Sequence, residues 1–165
     1  MIWRRFKCRS NIGLSDLHHV IQIIMGWYDC HLHEFIVGKN SYGIILPDED
    51  NRNIQDENKF KISDIITEKN PELKYWYDFG DDWYHSLKLE KTIQNPDNFS
   101  KPVCLEGDLN CPPEDAGGIH GYYEKLKVLK GKKNQYYKEI KEWMGDYNPN
   151  DFDMEKINNL LKKHI

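Results

Sequence analysis

Between Leu73 and Leu89, large side chains recur at every second position on either side of Gly80-Asp81-Asp82. Leu73, Tyr75, Tyr77 and Phe79 form one row, and Trp83, His85, Leu87 and Leu89 form another. A period of two is the signature of a strand, and Gly and Asp supply the backbone conformations of a turn. The segment therefore predicts a β-hairpin, and parity limits its turn. A two-residue loop would pair Phe79 with Asp82 and swing the second row to the opposite face. An odd loop, of three residues or five, keeps both rows on one side. The expected cross-strand neighbours are Tyr77 and His85.

The remaining elements follow from the same two periods. Ile2 to Arg9 predicts a strand, with Ile2, Phe6 and Cys8 on one face and Trp3, Arg5, Lys7 and Arg9 on the other; Arg4 interrupts the apolar row. Ser15 is the expected N-cap of a helix whose buried stripe is Leu17, Val20, Ile21, Ile24 and Met25, with Gly26 as its stop. His31 to Val37 predicts a strand with His31, His33, Phe35 and Val37 on one face. A turn at residues 38–41 and a return strand from Tyr42 to Leu46 complete a second hairpin. Residues 47–58 read as an exposed acidic loop, and Ser63 to Glu68 as a short helix capped by Ser63.

Residues 95–113 hold four prolines and read as a long loop. Three helices follow. One is marked by Tyr122, Leu126 and Leu129, and one by Tyr136, Tyr137, Ile140, Trp143 and Met144. The last starts from an Asp153 cap and carries Met154, Ile157, Leu160 and Leu161. Strands in front and helices behind give an α+β class. The expected architecture is an antiparallel or mixed sheet of two hairpins plus the N-terminal strand, one helix in the N-terminal half and about three C-terminal helices. A chain of 165 residues suits one domain, residues 1–165.

No apolar run is long enough to cross a bilayer, so no membrane partner is expected. Met1-Ile2-Trp3-Arg4-Arg5 has no signal-peptide core, and the four scattered cysteines form no framework. A cytoplasmic protein with reduced thiols is expected. A net charge of -4 argues against a nucleic-acid partner over the whole surface. The lysines between Lys125 and Lys141 are offset by Glu124 and Glu139 and read as a solvated helix pair. The Trp3, Arg5, Lys7, Arg9 row is the other place where phosphate contacts would arise.

Three groups of residues carry candidate chemistry. His31 and His33, two apart on a strand, suit one metal ion, with His85 as a third ligand and Glu114 or Asp115 as a fourth. The alternative is that these imidazoles are core residues among Phe35, Trp83, Leu87 and Leu89. Asp78-Phe79-Gly80-Asp81-Asp82 is either an oxygen-rich cation loop or simply a turn. The kinase reading of Asp-Phe-Gly fails, because no glycine-rich phosphate loop or catalytic loop accompanies it. Pro112-Pro113-Glu114-Asp115-Ala116-Gly117-Gly118 leads into a helix. Its acids either complement the helix dipole or act as a general acid and base beside His85. The catalytic candidates are thus His85, Asp81, Glu114 and Asp115. The ligand-binding candidates are Arg4, Arg5, His33, Asp78 and Trp83, the arginines serving as counter-charges to the carboxylates. The metal candidates are His31, His33 and His85. No organic cofactor is called for; a divalent metal is the one cofactor these residues would hold.

Several of these segments, taken in order, resemble the plasmid pRiA4b ORF-3-like family. They are Ile2-Trp3-Arg4-Arg5, Met25-Gly26-Trp27 with His31-Leu32-His33-Glu34-Phe35, Asp78-Phe79-Gly80-Asp81-Asp82-Trp83-Tyr84-His85, Cys104-Leu105-Glu106-Gly107, and residues 111–118 followed by Gly121-Tyr122. The resemblance implies an α+β fold and occurrence in prokaryotes, on plasmids and near insertion elements; it brings no biochemical activity. Relatives of this kind have residues for one more strand before Ile2, so an open sheet edge is expected there. They often carry Cys where Ala116 stands, which removes any scheme needing a thiol at that place. A resolvase-like label attached to some members fails on the residues: Arg9-Ser10 is the only superficial match, and Arg52 is the only arginine after Arg9. The leading expectation is a domain that binds a protein or small-molecule ligand where the two hairpins meet the Pro-Pro-Glu-Asp turn. A metal-dependent or acid/base hydrolase-like enzyme and a nucleic-acid accessory protein are the alternatives.

Overall fold

The hairpin read from Leu73 to Leu89 is β5 (Glu72–Tyr77) and β6 (Trp83–Lys88) in the computed structural model, which describes residues 1–46, 53–94 and 99–165. Its turn has five residues, so Leu73, Tyr75 and Tyr77 share a side with Trp83, His85 and Leu87 as parity requires, while Phe79 leaves its row to pack on Trp76, and the register differs from expectation by one pair. Tyr77 opposes Trp83, and His85 opposes Tyr75. The reason is a helical turn at the tip, where Asp82 N–H donates to Asp78 O at 2.7 Å, with Asp78 and Asp82 both at φ 56°.

The second hairpin, β2 (His33–Val37) and β3 (Asn40–Gly43), turns tightly through Gly38 and Lys39. β2 pairs antiparallel with β5, setting His33 beside Tyr77 and Phe35 beside Tyr75. β4 (Ile54–Asp56) adds a parallel edge, giving the order β4-β3-β2-β5-β6. β4 and the 3-10 turn Glu57–Lys59 replace the loop expected over residues 53–58. The rest of that loop, including Arg52, lies outside the described residues, as do residues 95–98 of the other.

The N-terminal strand β1 (Trp3–Lys7) joins no hairpin. It pairs antiparallel with β7 (Val103–Asp108), inside the stretch read as a proline-rich loop, and forms a separate two-stranded ladder. α1 (Leu14–Met25) lies between the two sheets, so its buried face is broad and only Asp16 and His19 along it are exposed. Leu14, Leu17 and Ile21 pack with Phe35, Tyr75 and Tyr77 of the hairpin sheet, whereas Val20 and Ile24 pack with Cys104 and Leu161. α1 starts at Gly13 rather than at a Ser15 cap, and it stops at Gly26 (φ 80°) as expected.

Lys61, not Ser63, caps the short α2 (Ile62–Ile65), with its N–H bonded to Asp64. α3 (Gly118–Leu129), α4 (Gln135–Met144) and α5 (Met154–His164) are the three C-terminal helices. Asp153 caps α5 by accepting from Lys156 N–H at 2.9 Å. Asn158 of α5 clamps both backbone groups of Cys104, so β7 is held by the helix on one side and β1 on the other. Among the described residues no helix is long and apolar enough to cross a membrane.

Candidate functional site

Three non-repetitive segments meet at the His33–Tyr77 end of the β2–β5 pair: the α1–β2 connection, the β5–β6 turn and the Pro-Pro-Glu-Asp turn before α3. Each is locked to another by backbone groups. Asp78 N–H donates to Leu32 O at 3.0 Å, and Asp81 Oδ2 accepts Gly117 N–H at 2.8 Å. Trp27 Nε1 donates to Pro112 O, and Glu114 Oε1 accepts Tyr28 N–H, both at 2.9 Å. Gly118, at φ 65°, must lack a side chain because a Cβ there would collide with Asp81 O. The tip of one hairpin is thereby pressed against a turn some thirty-five residues further along the chain.

At the junction, His31 Nε2 faces three carboxylates. It lies 3.5 Å from Asp78 Oδ2, 3.4 Å from Asp115 Oδ1 and 3.9 Å from Glu114 Oε2. Within the described residues, neither His31 Nε2 nor Glu114 Oε2 has a hydrogen-bond partner, though both atoms are buried. The other oxygens are already committed. Asp78 Oδ1 accepts the N–H groups of Gly80 and Asp81. Glu114 Oε1 also accepts the Tyr77 hydroxyl at 3.1 Å, and that hydroxyl accepts Cys30 N–H. Burial, then the charge of Glu114, pushes Tyr77 up, so it stays a neutral donor.

Donors bound to one ion at about 2.1 Å stand about 3.0–3.4 Å apart at octahedral or tetrahedral angles. All three contacts of His31 are too long for good hydrogen bonds; those to Asp115 and Asp78, at 3.4 and 3.5 Å, are close to that spacing, and that to Glu114, at 3.9 Å, is longer. The His31, Asp78 and Asp115 donor atoms all lie within 4.8 Å of one another. Asp78 and Asp115 both hold the left-handed backbone, at φ 56°. Asp and Asn tolerate that region better than most residues, yet it is an uncommon conformation that the surroundings must enforce. Asp115 is three-quarters exposed, so one side of the cluster opens to solvent.

The comparisons with known proteins cover the whole of this arrangement. The family described as plasmid pRiA4b ORF-3-like protein matches residues 1–156. The chain belongs to the plasmid pRiA4b ORF-3-like family. It is 36% identical to the uncharacterized protein y4hQ of Sinorhizobium fredii over 160 residues, 96% of this chain and 79% of that one. A solved structure of similar shape is MM3350 of Methanosarcina mazei, titled a protein of unknown function. It superposes with a TM-score of 0.84 at 37% identity, over 93% of this chain and 88% of that one.

Within this pRiA4b ORF-3-like chain, the junction gathers His31, Asp78, Glu114 and Asp115 around one point, with Asp81 beside them, and the other candidates lie elsewhere. His31 and His33 have different surroundings, because β2 begins only at His33 and the two-residue period does not reach His31. His33 turns under α1, donates to Glu57 at 2.7 Å and stacks on His18 with ring centroids 3.5 Å apart. His85 is packed edge-on to Trp27, and its Nδ1 lies 3.2 Å from Trp83 O, so it is not paired with Glu114 or Asp115. Trp83 is buried in the core beside Trp27. Asp81 is occupied by Gly117 N–H, which makes it a fastener of the two turns.

Arg4 and Arg5 are counter-charges to none of the junction carboxylates. Arg4 spends its guanidinium on the carbonyls of Trp3, Ile24, Asp108 and Leu109. Arg5 pairs with Glu90 and Glu106. Lys7 covers the Phe99 ring and Arg9 donates to Phe99 O, so the N-terminal basic row is engaged within the chain. The sequence reading missed His18, Gln22, Asp29 and Glu57. The available signal was polar His18 and Gln22, four apart, inside the apolar stripe of α1.

Proposed function

We propose that this pRiA4b ORF-3-like protein is a divalent-metal-binding domain whose ion is held by His31 Nε2 with Asp78, Glu114 and Asp115. One observation carries the reading: a buried imidazole nitrogen without a hydrogen bond faces three carboxylates drawn from two other turns, at 3.4–3.9 Å. A single nitrogen among oxygens favours Mn2+ or Zn2+ over Ca2+, which takes oxygen ligands alone. The solvent-open side at Asp115 leaves room for a bound water or a ligand's oxygen. That opening supports a metal-dependent hydrolase as the second reading, since water on a zinc ion in such a site can lose its proton near neutral pH.

The test is elemental analysis of protein purified without chelators, followed by calorimetric titration of the chelator-treated protein with Mn2+ and Zn2+. The wild type should take up one ion per chain. His31→Ala should lose binding. Asp78→Asn should lose it while keeping the Oδ1 bonds to Gly80 and Asp81, and hence the fold. At a hundredfold excess over Kd, the ion should raise stability by about 2.7 kcal/mol. No uptake of either ion by the wild type at millimolar concentration refutes the reading. Retention of full affinity in both variants does so as well.

A further inference from the structure

Residues 27–32, which carry His31 from α1 to β2, have no regular secondary structure, yet a closed circuit of hydrogen bonds holds them. Asp29 N–H can only donate, so Gln22 Oε1 is the acceptor, at 2.9 Å. The amide nitrogen of Gln22 must then face Tyr75, donating to its hydroxyl oxygen at 3.0 Å. Tyr75 is fully buried, and burial pushes its hydroxyl far up, so it keeps its proton. Having received one hydrogen from Gln22, it sends its own to His18 Nδ1, 2.7 Å away. His18 is thereby the Nε2–H tautomer, and Nε2 donates to Asp29 Oδ1 at 2.7 Å. The circuit starts and ends on Asp29.

Directionality gives the circuit a consequence. His18, His19 and Asp29 present three donor atoms within 4.8 Å and resemble a second ion site. An ion on His18 Nε2 would force the ring proton onto Nδ1. Tyr75 would then receive two hydrogens, and its own, in the core, would have no acceptor. The cluster is thus wired to grip Asp29, itself at φ 58°, and not to ligate.

We infer that His18, Gln22 and Tyr75 are positioning residues for His31, acting through Asp29. The inference rests on the metal reading above. Asp29 is followed directly by Cys30, whose N–H is fixed on Tyr77, and then by His31. Fixing Asp29 therefore limits the rotations left to His31. Partners bonded directly to a metal ligand typically change affinity ten- to a hundredfold when lost, so these three, which reach His31 only through Asp29, should change it by less, about tenfold at most.

The experiment pairs Mn2+ titration with amide hydrogen exchange at Tyr28, Asp29 and Cys30, in the wild type and in Tyr75→Phe, His18→Leu and His18→Gln. Tyr75→Phe keeps the ring's volume and cuts two of the four links. It and His18→Leu should speed exchange at the three amides and weaken Mn2+ binding several-fold, up to about tenfold, with exchange along α1 unchanged. His18→Gln, which retains an acceptor and a donor, should recover part of both. Unchanged exchange overturns the latch whether or not metal binds. Faster exchange with unchanged Mn2+ affinity overturns its role toward His31. A wild type that takes up no Mn2+ overturns the function proposed above and, with it, any role toward His31, while exchange still decides the latch.

Discussion

Lowering the pH from 7 to 5 should cost the protein about 2 kcal/mol through His18 alone. The ring is 3% exposed, stacked on His33, and bonded to Asp29 and Tyr75; His19 stands edge-on at 5.3 Å. Burial first, and His33 second, lower its pKa to about 4, outweighing the pull of Asp29. In the unfolded chain the ring titrates at about 6.5. Between those values the unfolded state binds a proton that the folded state refuses, so stability falls as pH falls. The contribution is fully present above about pH 6.5, about 2 kcal/mol has gone by pH 5, and about 3 kcal/mol by the time pH 4 is passed.

Urea unfolding followed by the fluorescence of the five tryptophans reports the quantity directly. His18→Gln has no titrating ring at that place, so the comparison cancels the acid response of the groups that do not touch His18. The wild type should lose about 2 kcal/mol more than the variant between pH 7 and pH 5. Equal losses would refute a neutral, buried His18 and the directed circuit with it.

Two further substitutions probe the framework around the site. Gly118→Ala places a Cβ against Asp81 O in left-handed backbone and should cost about 2–4 kcal/mol in urea unfolding, whereas Gly26→Ala, left-handed in open space, should cost about 1 kcal/mol. Arg4→Met abandons four carbonyls and should cost about 2–4 kcal/mol by the same assay; Arg5→Met, whose glutamates are half exposed, should stay below about 1 kcal/mol.

What the sequence determined by itself was everything governed by a local period or a local turn. The parity of the β5–β6 rows, the stripe of α1 with its Gly26 stop and the Asp153 cap depend on neighbours a few residues away, so they could be read directly. The order of the Asp-Phe-Gly-Asp-Asp and Pro-Pro-Glu-Asp segments was enough to indicate the family. Tertiary structure decided which edges and tips meet. The hairpin register moved by one pair because a helical turn absorbed Asp78 to Asp82. β7 is a strand because β1, a hundred residues earlier, offers it a ladder, while its own sequence lies among prolines. His31 parted from His33 because strand geometry starts one residue after Leu32, and only the contact between two distant turns brought Asp78, Glu114 and Asp115 to its nitrogen. Short-range sterics are encoded position by position, whereas the convergence of separate turns depends on how all the buried faces fit together, which no window of sequence contains.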